Sequence, residues 1–494
     1  MQLQKKKTGI PRDIAEFTMY TVIMKRIKAA PSRLAGLFLI FILASCASSA
    51  ETTGAAKNPV VIDASAPLRL YRTDKPDSRV TVLSQSMASS FQKSADPERA
   101  LREFTAQLVK GESDPYMKIK LIHDWITLSV NYDVAMLERG VVTGQDIRTV
   151  LSARKAVCSG YSKLFETMAS AAGFEAKTIH GWARGLSGNF EFTPRNSHAW
   201  NMVNISGQWL FVDTTFDAGA FTDGRYKQRY STDYLFPGPE QLQYTHFPED
   251  PSDQLMSRPI DRSRFINQAL FLPEFFKLGL SVPAVSANPG QFMPALVKAA
   301  DRYNLDFEAP PDVMLDASVF SSDGGEIGGS VMLSLRAAGK WRISFAFPKA
   351  GTYKALIFAG KTSTREASGS TALPGKSEEK LKSVLSFAFQ TSGKNVEFPA
   401  FPRQYASFFE RAGEYLESPI TGVLKAGMSA KFVYISNAKK VSLIHDGNFI
   451  PLDENPASPG RFELELKVPK TELLKLGVSE DGVNFSIMLS WSVR

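Results

Sequence analysis

The stretch Val157–Asp217 decides the fold. It opens VCSGYSKLFETMASAAGF (Val157–Phe174), passes through AKTIHGWARG (Ala176–Gly185) and closes SHAWNMVNISGQWLFVDTTFD (Ser197–Asp217). Tyr161, Leu164, Phe165, Met168, Ala169 and Ala172 recur at the spacing of an apolar helix stripe, and Gly173 supplies a C-terminal stop. Cys158 therefore falls in or just before the first turn of a helix. There the unpaired backbone N–H groups and the positive end of the helix dipole favour thiolate over thiol. The same groups suit an oxyanion on an acyl carbon under attack.

The closing segment reads as a β-hairpin. SHAWNMVNI and QWLFVDTT alternate and are rich in β-formers, with Ser206-Gly207 as a two-residue turn. With Ile205 opposite Gln208, Trp200 faces Asp213 and His198 faces Thr215, so His198 and Asp213 become diagonal neighbours on one face. A three-residue loop would put them on opposite faces. In the two-residue register the carboxylate can orient the ring while the ring draws the proton from the thiol. Cys158, His198 and Asp213 are thus the candidate nucleophile, base and orienting acid.

Cys158-Ser159-Gly160-Tyr161, His198-Ala199-Trp200-Asn201 and Val212-Asp213-Thr214-Thr215 together resemble the three motifs of the transglutaminase-like superfamily. Trp125-Ile126, Tyr132-Asp133, Tyr234-Leu235-Phe236 and Thr245-His246-Phe247-Pro248 narrow the resemblance to the branch containing kyphoscoliosis peptidase and a cytokinesis-associated relative. It covers roughly Pro97 to Leu280 well. The resemblance implies an α+β, papain-like core: N-terminal helices, the nucleophile's helix and an antiparallel sheet. It also implies an upstream Trp or Gln side chain as second oxyanion donor, for which Trp125 and Gln145 are the candidates, with Trp125 also readable as core.

Around this core, the 494 residues suffice for two to four domains. Helices are expected over Pro97–Lys110 and Tyr116–Ser129, and mobile loops over Gly185–Asn189 and Asp217–Arg225. Beyond about Val285 short alternating segments separated by Gly, Pro, Asn or Asp indicate two Ig-like β-sandwiches, with Tyr353 at a tyrosine-corner turn and a hinge at Phe398–Pro402. The expected division is 1–45 leader, 46–75 tether, 76–284 transglutaminase-like domain, and 285–395 and 396–494 Ig-like domains. Trp182 and Trp200 are the cleft candidates. His180 reads as a cleft-wall or core histidine, His123 as a helix-surface residue and His246 as structural. No His, Cys and Asp group has metal-ligand spacing, so neither a metal nor another cofactor is expected.

The formal charge of +8 and pI of about 9.2 invite a nucleic-acid partner. Residues 1–45, however, hold eight Lys/Arg against Asp13 and Glu16, which accounts for most of that excess. No nucleic-acid partner is expected. Lys25, Arg26, Lys28 and Arg33 precede the apolar run Leu34–Ser45, 12 residues long, the size of a signal-peptide core and too short to span a bilayer. Leu43-Ala44-Ser45-Cys46 resembles the lipobox of bacterial lipoproteins, which implies a lipid on Cys46 and a cell-envelope location, the outer membrane by default. Of the two cysteines, Cys158 is then left without a disulfide partner.

These readings converge on an envelope-tethered cysteine acyl-transfer enzyme acting on protein or peptide amides through a thioester, as a peptidase or amidase. The alternatives are a protein cross-linking transglutaminase and a non-catalytic binding scaffold. The expected partners are the substrate, the membrane through Cys46 and a protein docked on the Ig-like domains.

Overall fold

The computed structural model of the chain describes residues 66–80, 94–185, 190–222, 225–283, 292–361, 381–393, 396–409 and 411–494. The leader, Cys46 and most of the Gly185–Asn189 loop lie outside them. No helix among the described residues is long and apolar enough to cross a membrane.

The first domain is built of helices α1 (Pro97–Leu108), α2 (Pro115–Ser129), α3 (Val134–Arg139), α4 (Ile147–Ala153) and α5 (Cys158–Ala171), with a short parallel pair, β1 (Asn131–Tyr132) and β2 (Lys155–Ala156), between them. Asp96, Asp114, Asp133 and Asp146 cap the first four, each accepting a backbone N–H of the first turn. On α5 the predicted stripe is the buried face. Tyr161, Leu164, Phe165, Met168 and Ala169 pack with Phe104, Ile122, Trp125 and Ile126 in one core. Trp125 is 4% exposed and its ring lies 4.9 Å from that of Phe104. Its role is packing.

Against α5 lies a four-stranded antiparallel sheet. Its strands are β3 (Glu175–Ala183), β4 (Ser197–Ile205), β5 (Gln208–Val212) and β8 (His246–Pro248), in the order β5-β4-β3-β8. The Ser206-Gly207 turn has both residues at positive φ, 54° and 87°, and Ile205 pairs with Gln208 as the two-residue register requires. Val203, Ile205, Leu210 and Val212 face α5, whereas Trp200, Met202 and Phe211 form a second core on the far side. Asn201 Nδ2 donates to the Ser162 carbonyl at 3.1 Å and ties β4 to α5. At Gly181 even a methyl group would lie 2.2 Å from the Phe247 carbonyl oxygen, so β8 can approach only a glycine there.

The expected hairpin is corrected at its end. The second strand stops at Val212, opposite Asn201, and Asp213 caps the one-turn helix α6 (Thr214–Ala218). The Asp217–Arg225 loop is corrected too. Asp217 is fully buried in α6, and β6 (Gly219–Thr222) pairs with β7 (Arg225–Gln228) as a short hairpin.

Two further boundaries move. Ala66–Tyr71 is a 3₁₀ turn docked on the domain: Leu68 is buried in its core and the Tyr71 hydroxyl donates to Asp114 at 2.7 Å. The tether therefore ends before residue 66. Leu270–Phe271 pairs with the strand Lys382–Thr391, and Phe275, Leu278 and Leu280 sit in the core of the first β-module. That module thus begins well before residue 285. It stacks a sheet of Leu296–Ala299, Lys382–Thr391, Gly351–Lys361 and Val313–Ser321 on one of Arg302–Glu308, Lys340–Ala346 and Val331–Ala337. The Tyr353 hydroxyl donates to the Lys349 carbonyl at 2.9 Å, the bond of a tyrosine corner. The second module, Arg403–Val493, is a nine-stranded curled sheet closed around Phe432, Tyr434, Leu443, Leu476 and Trp491.

Arg184, at the end of β3, joins the first domain to the β-modules. It is 6% exposed, and its guanidinium donates to the carbonyls of Tyr244 (2.6 Å), Gln268 and Ala269 (both 3.3 Å). Burial holds it down at about 10.

Candidate active site

Cys158 opens α5, and the residue before it is Val157, which has no side chain able to cap. Unlike the four Asp-capped helices, α5 therefore keeps the N–H groups of Cys158 and Ser159 for another acceptor, while that of Gly160 donates to the Val157 carbonyl at 2.9 Å. Gln145 fixes the entry to the helix: its Oε1 accepts the Val157 N–H at 2.9 Å, and its Nε2 donates to the Thr143 carbonyl at 3.0 Å. Of the two oxyanion candidates, Trp125 is packed in the core it shares with α5, and Gln145 turns its acceptor Oε1 to the helix entry while its Nε2 is spent on Thr143 and on Met136 Sδ at 3.3 Å.

His198 stands near the start of β4 with its Nε2 2.7 Å from Asp213 Oδ2. That leaves Nδ1 on the side of the thiol, whose ionisation His198 favours. A second group acts on the sulfur from the backbone. Because β5 has already ended, Ala199 has no strand partner on that side. Its partner across β3, His180, turns its carbonyl away to the Glu249 N–H at 2.9 Å. Ala199 accordingly directs its N–H toward the vacated edge, and that N–H favours the Cys158 thiolate. The early stop of β5 thus leaves the Ala199 N–H without a strand partner on that side.

The electrostatics follow from these contacts. Burial pushes the Cys158 thiol up, but the hydrogen bond and charge of His198 and the Ala199 N–H outweigh it, and the net shift is downward. Burial pulls the His198 imidazolium down, while the Asp213 charge and the bonds to Asp213 and Cys158 raise it to about 10. Burial likewise opposes ionisation of Asp213, yet His198 and His246 hold it well below the usual carboxylate range. Thiolate and imidazolium are the favoured pair.

Two residues absent from the expected site belong to it. His246, on β8, places Nε2 2.9 Å from the same Asp213 Oδ2 that His198 uses. His123 is corrected from a surface to a fully buried position, bridging Asp124 (Nδ1, 3.0 Å) and Asp217 (Nε2, 3.0 Å). Lys120 pairs with Asp124, and the Tyr230 hydroxyl donates to it at 2.7 Å. Burial pulls His123 down, but the two carboxylates raise it to about 9. This second polar layer grips the end of α6 whose start is Asp213.

The remaining candidates divide. Trp200 is 1% exposed and packs its ring on His198 (5.9 Å) and His246 (4.9 Å), so it offers no surface to a substrate. Trp182 is half-buried against Phe192, with the Arg262 guanidinium 4.8 Å from its ring. His180 is exposed on β3. His198, Asp213 and His246 bring ligand-type atoms within 4.8 Å of one another, a grouping that sequence spacing did not reveal. Both imidazoles, however, aim Nε2 at one carboxylate oxygen at hydrogen-bond distance, so their N–H groups are spent on Asp213 and do not converge on a metal position.

Residues 102–214 match the Transglutaminase-like superfamily, and residues 262–402 match the KY-like, immunoglobulin-like domain. The chain carries a transglutaminase-like domain. It is followed by a KY-like Ig-like domain whose start agrees with the earlier boundary found in the fold. Kyphoscoliosis peptidase of Mus musculus is 28% identical over 263 residues, covering 52% of this chain and 38% of that protein. The Homo sapiens protein of the same name is 27% identical over the same shares. Cytokinesis protein 3 of Saccharomyces cerevisiae is 25% identical over 162 residues, 32% of this chain and 18% of that protein. The chain thus aligns with well under half the length of these relatives. All three motifs of the expected triad fall inside the transglutaminase-like domain or at its edge.

Iodoacetamide should alkylate Cys158 at pH 6.5 at least about tenfold faster than a free thiol of pKa about 8.5, and His198→Ala should abolish the advantage. Peptide mapping of the modified cysteine reads the result; equal rates in the two proteins would refute an activated thiol. For His123 the folded value lies above the unfolded one. Its stabilisation, on the order of 3 kcal/mol, is complete below about pH 6.5 and is lost as pH rises through about 9. The stability gap between the native protein and His123→Gln, measured by thermal melting, should therefore narrow from pH 6.5 to 9.5; a constant gap would contradict a charged His123.

Proposed function

We propose that the chain is a cysteine acyl-transfer enzyme that hydrolyses protein or peptide amides. The observation that supports this reading best is the His198 Nε2–Asp213 Oδ2 contact of 2.7 Å beside a thiol that His198 and the Ala199 N–H shift toward thiolate, at a helix mouth that no side chain caps. The Cys158 thiolate attacks the amide carbonyl carbon, and the C=O electron pair moves onto oxygen. The N–H groups of Cys158 and Ser159 at the mouth of α5 serve that oxyanion. His198 then passes its proton to the leaving nitrogen, the C–N bond breaks and a thioester remains. His198, now neutral, takes a proton from an incoming water. The hydroxyl adds to the thioester carbonyl, and the C–S bond breaks to release the acid and restore the thiolate. Asp213 holds the ring and balances its charge throughout.

Trp182, half-buried on β3 one residue beyond Gly181, the cross-strand partner of His198, is the aromatic placed to meet a substrate side chain. We further propose that a lipid on Cys46 tethers the enzyme to the cell envelope, on the strength of the Leu43-Ala44-Ser45-Cys46 motif, and that the β-modules dock a protein partner.

Incubation with an acyl-donor protein and a fluorescent primary amine separates the fates of the thioester. Release of new carboxyl groups or peptides without amine incorporation, lost in Cys158→Ala, is expected. Amine incorporation that depends on Cys158 would instead make the enzyme a cross-linker, and no Cys158-dependent product on any donor would favour a scaffold. For the tether, cells fed a labelled fatty acid should label the native protein and leave Cys46→Ser unlabelled; equal labelling of both would remove the lipid from Cys46.

A further inference from the structure

We infer that His246 is a positioning residue, a neutral imidazole whose Nε2–H holds the Asp213 carboxylate so that the catalytic proton stays on His198. The inference rests on the Cys-His-Asp reading above and adds a fourth member to it.

The geometry is specific. Asp213 Oδ2 lies 2.7 Å from His198 Nε2 and 2.9 Å from His246 Nε2, and Oδ1 accepts the N–H groups of Thr215 (2.8 Å) and Phe216 (3.0 Å). The carboxylate therefore has four donors in a site where Asp213 is 2% exposed. Three come from its own helix turn and from His198. The fourth comes from a separate strand, 33 residues on, across the width of the sheet.

His246 is built to deliver that one bond. Its side chain is fully buried, and its other nitrogen, Nδ1, is 2.9 Å from Thr245 Oγ1. Trp200, Phe216 and Tyr234 wall the ring at centroid distances of 4.9, 4.9 and 5.3 Å, so it cannot swing away. The titratable groups facing it are Asp213 from the cap of α6, His198 from β4 with Cys158 behind it on α5, and Tyr234. None but Asp213 favours a charge on the ring. The His198 imidazolium stands 5.4 Å away, ring to ring, and a second buried cation beside the first is repelled. His246 therefore donates as a neutral ring, and the Thr245 hydroxyl donates to its Nδ1 at 2.9 Å in preference to the Leu242 carbonyl at 3.3 Å.

The consequence concerns where one proton resides. A dry carboxylate with four donors is a weak base and leaves the proton on His198. With Oδ2 losing one donor, the carboxylate becomes the stronger base and is free to turn about its side-chain bond. The imidazolium then loses its fixed countercharge, and Cys158 reverts toward the thiol.

The test is the pH profile of Cys158 carbamidomethylation by iodoacetamide on the full chain, from pH 5 to 9, with the site mapped by mass spectrometry. His246→Leu should move the reactive limb up by about one pH unit, which is about tenfold in rate at pH 6. His246→Gln, which can present an N–H at the position of Nε2, should stay within about threefold of the native rate at pH 6. Thermal melting of both variants reports folding. An unmoved limb in His246→Leu beside a depressed native limb would overturn this inference alone, as would a Gln variant as slow as the Leu variant. A native limb already at that of a free thiol would sink the nucleophile reading, and this inference with it.

Discussion

One carboxylate organises this domain. Asp213 caps α6 with one oxygen and holds two imidazoles with the other, so a single side chain joins a helix start, strand β4 and strand β8. A buried anion is tolerated only when its lone pairs are filled, and removing one partner of such a cluster costs more than the bond itself. The surrounding elements are arranged to fill them: β5 stops early so that Asp213 can turn into α6, and Gly181 lets β8 come close enough to bring His246.

Beneath this layer runs a second one. Asp213 begins α6 and Asp217, four residues later, ends its buried turn in the His123–Asp124–Lys120 cluster on α2. The Asp217 carboxylate also accepts the Tyr234 N–H at 3.0 Å, while the Asp213 N–H donates to the Tyr234 carbonyl at 3.0 Å. The one-turn helix carrying the orienting acid is therefore pinned at both ends by polar groups in low dielectric, where each bond is strong and each vacancy expensive. Arg184 extends the same logic outward. It leaves β3, the strand paired with His198, and spends its donors on carbonyls of Tyr244, Gln268 and Ala269, the last two at the start of the first β-module.

The sequence reading and the structure meet at particular residues. The α5 stripe, the Ser206-Gly207 turn, the Ile205–Gln208 register and the Tyr353 corner were all legible, because each is a local periodicity or a turn preference written within about ten residues. Trp125 proved to be core, one of the two readings open to it, and Trp200 was misjudged for the converse reason: an aromatic in a strand or helix carries no mark of which layer will cover it. His123 reads as a surface residue on an amphipathic helix, and becomes buried only because α6 and the Tyr230 segment fold over that face.

By itself, the sequence determined the chemical types of the site and two of the local frames that carry them: a thiol at a helix start and an imidazole on the first strand of a hairpin with a two-residue turn. Spacing along one chain segment is enough for that, since helix and strand periods are fixed by backbone geometry. The tertiary structure alone decided that β5 would stop at Val212 so that Asp213 caps α6, that the Ala199 N–H would face the vacated edge, and that His246 would close on Asp213. Those meetings join segments far apart in the chain, and their energies come from burial and from filling lone pairs in a common interior, which no local pattern records.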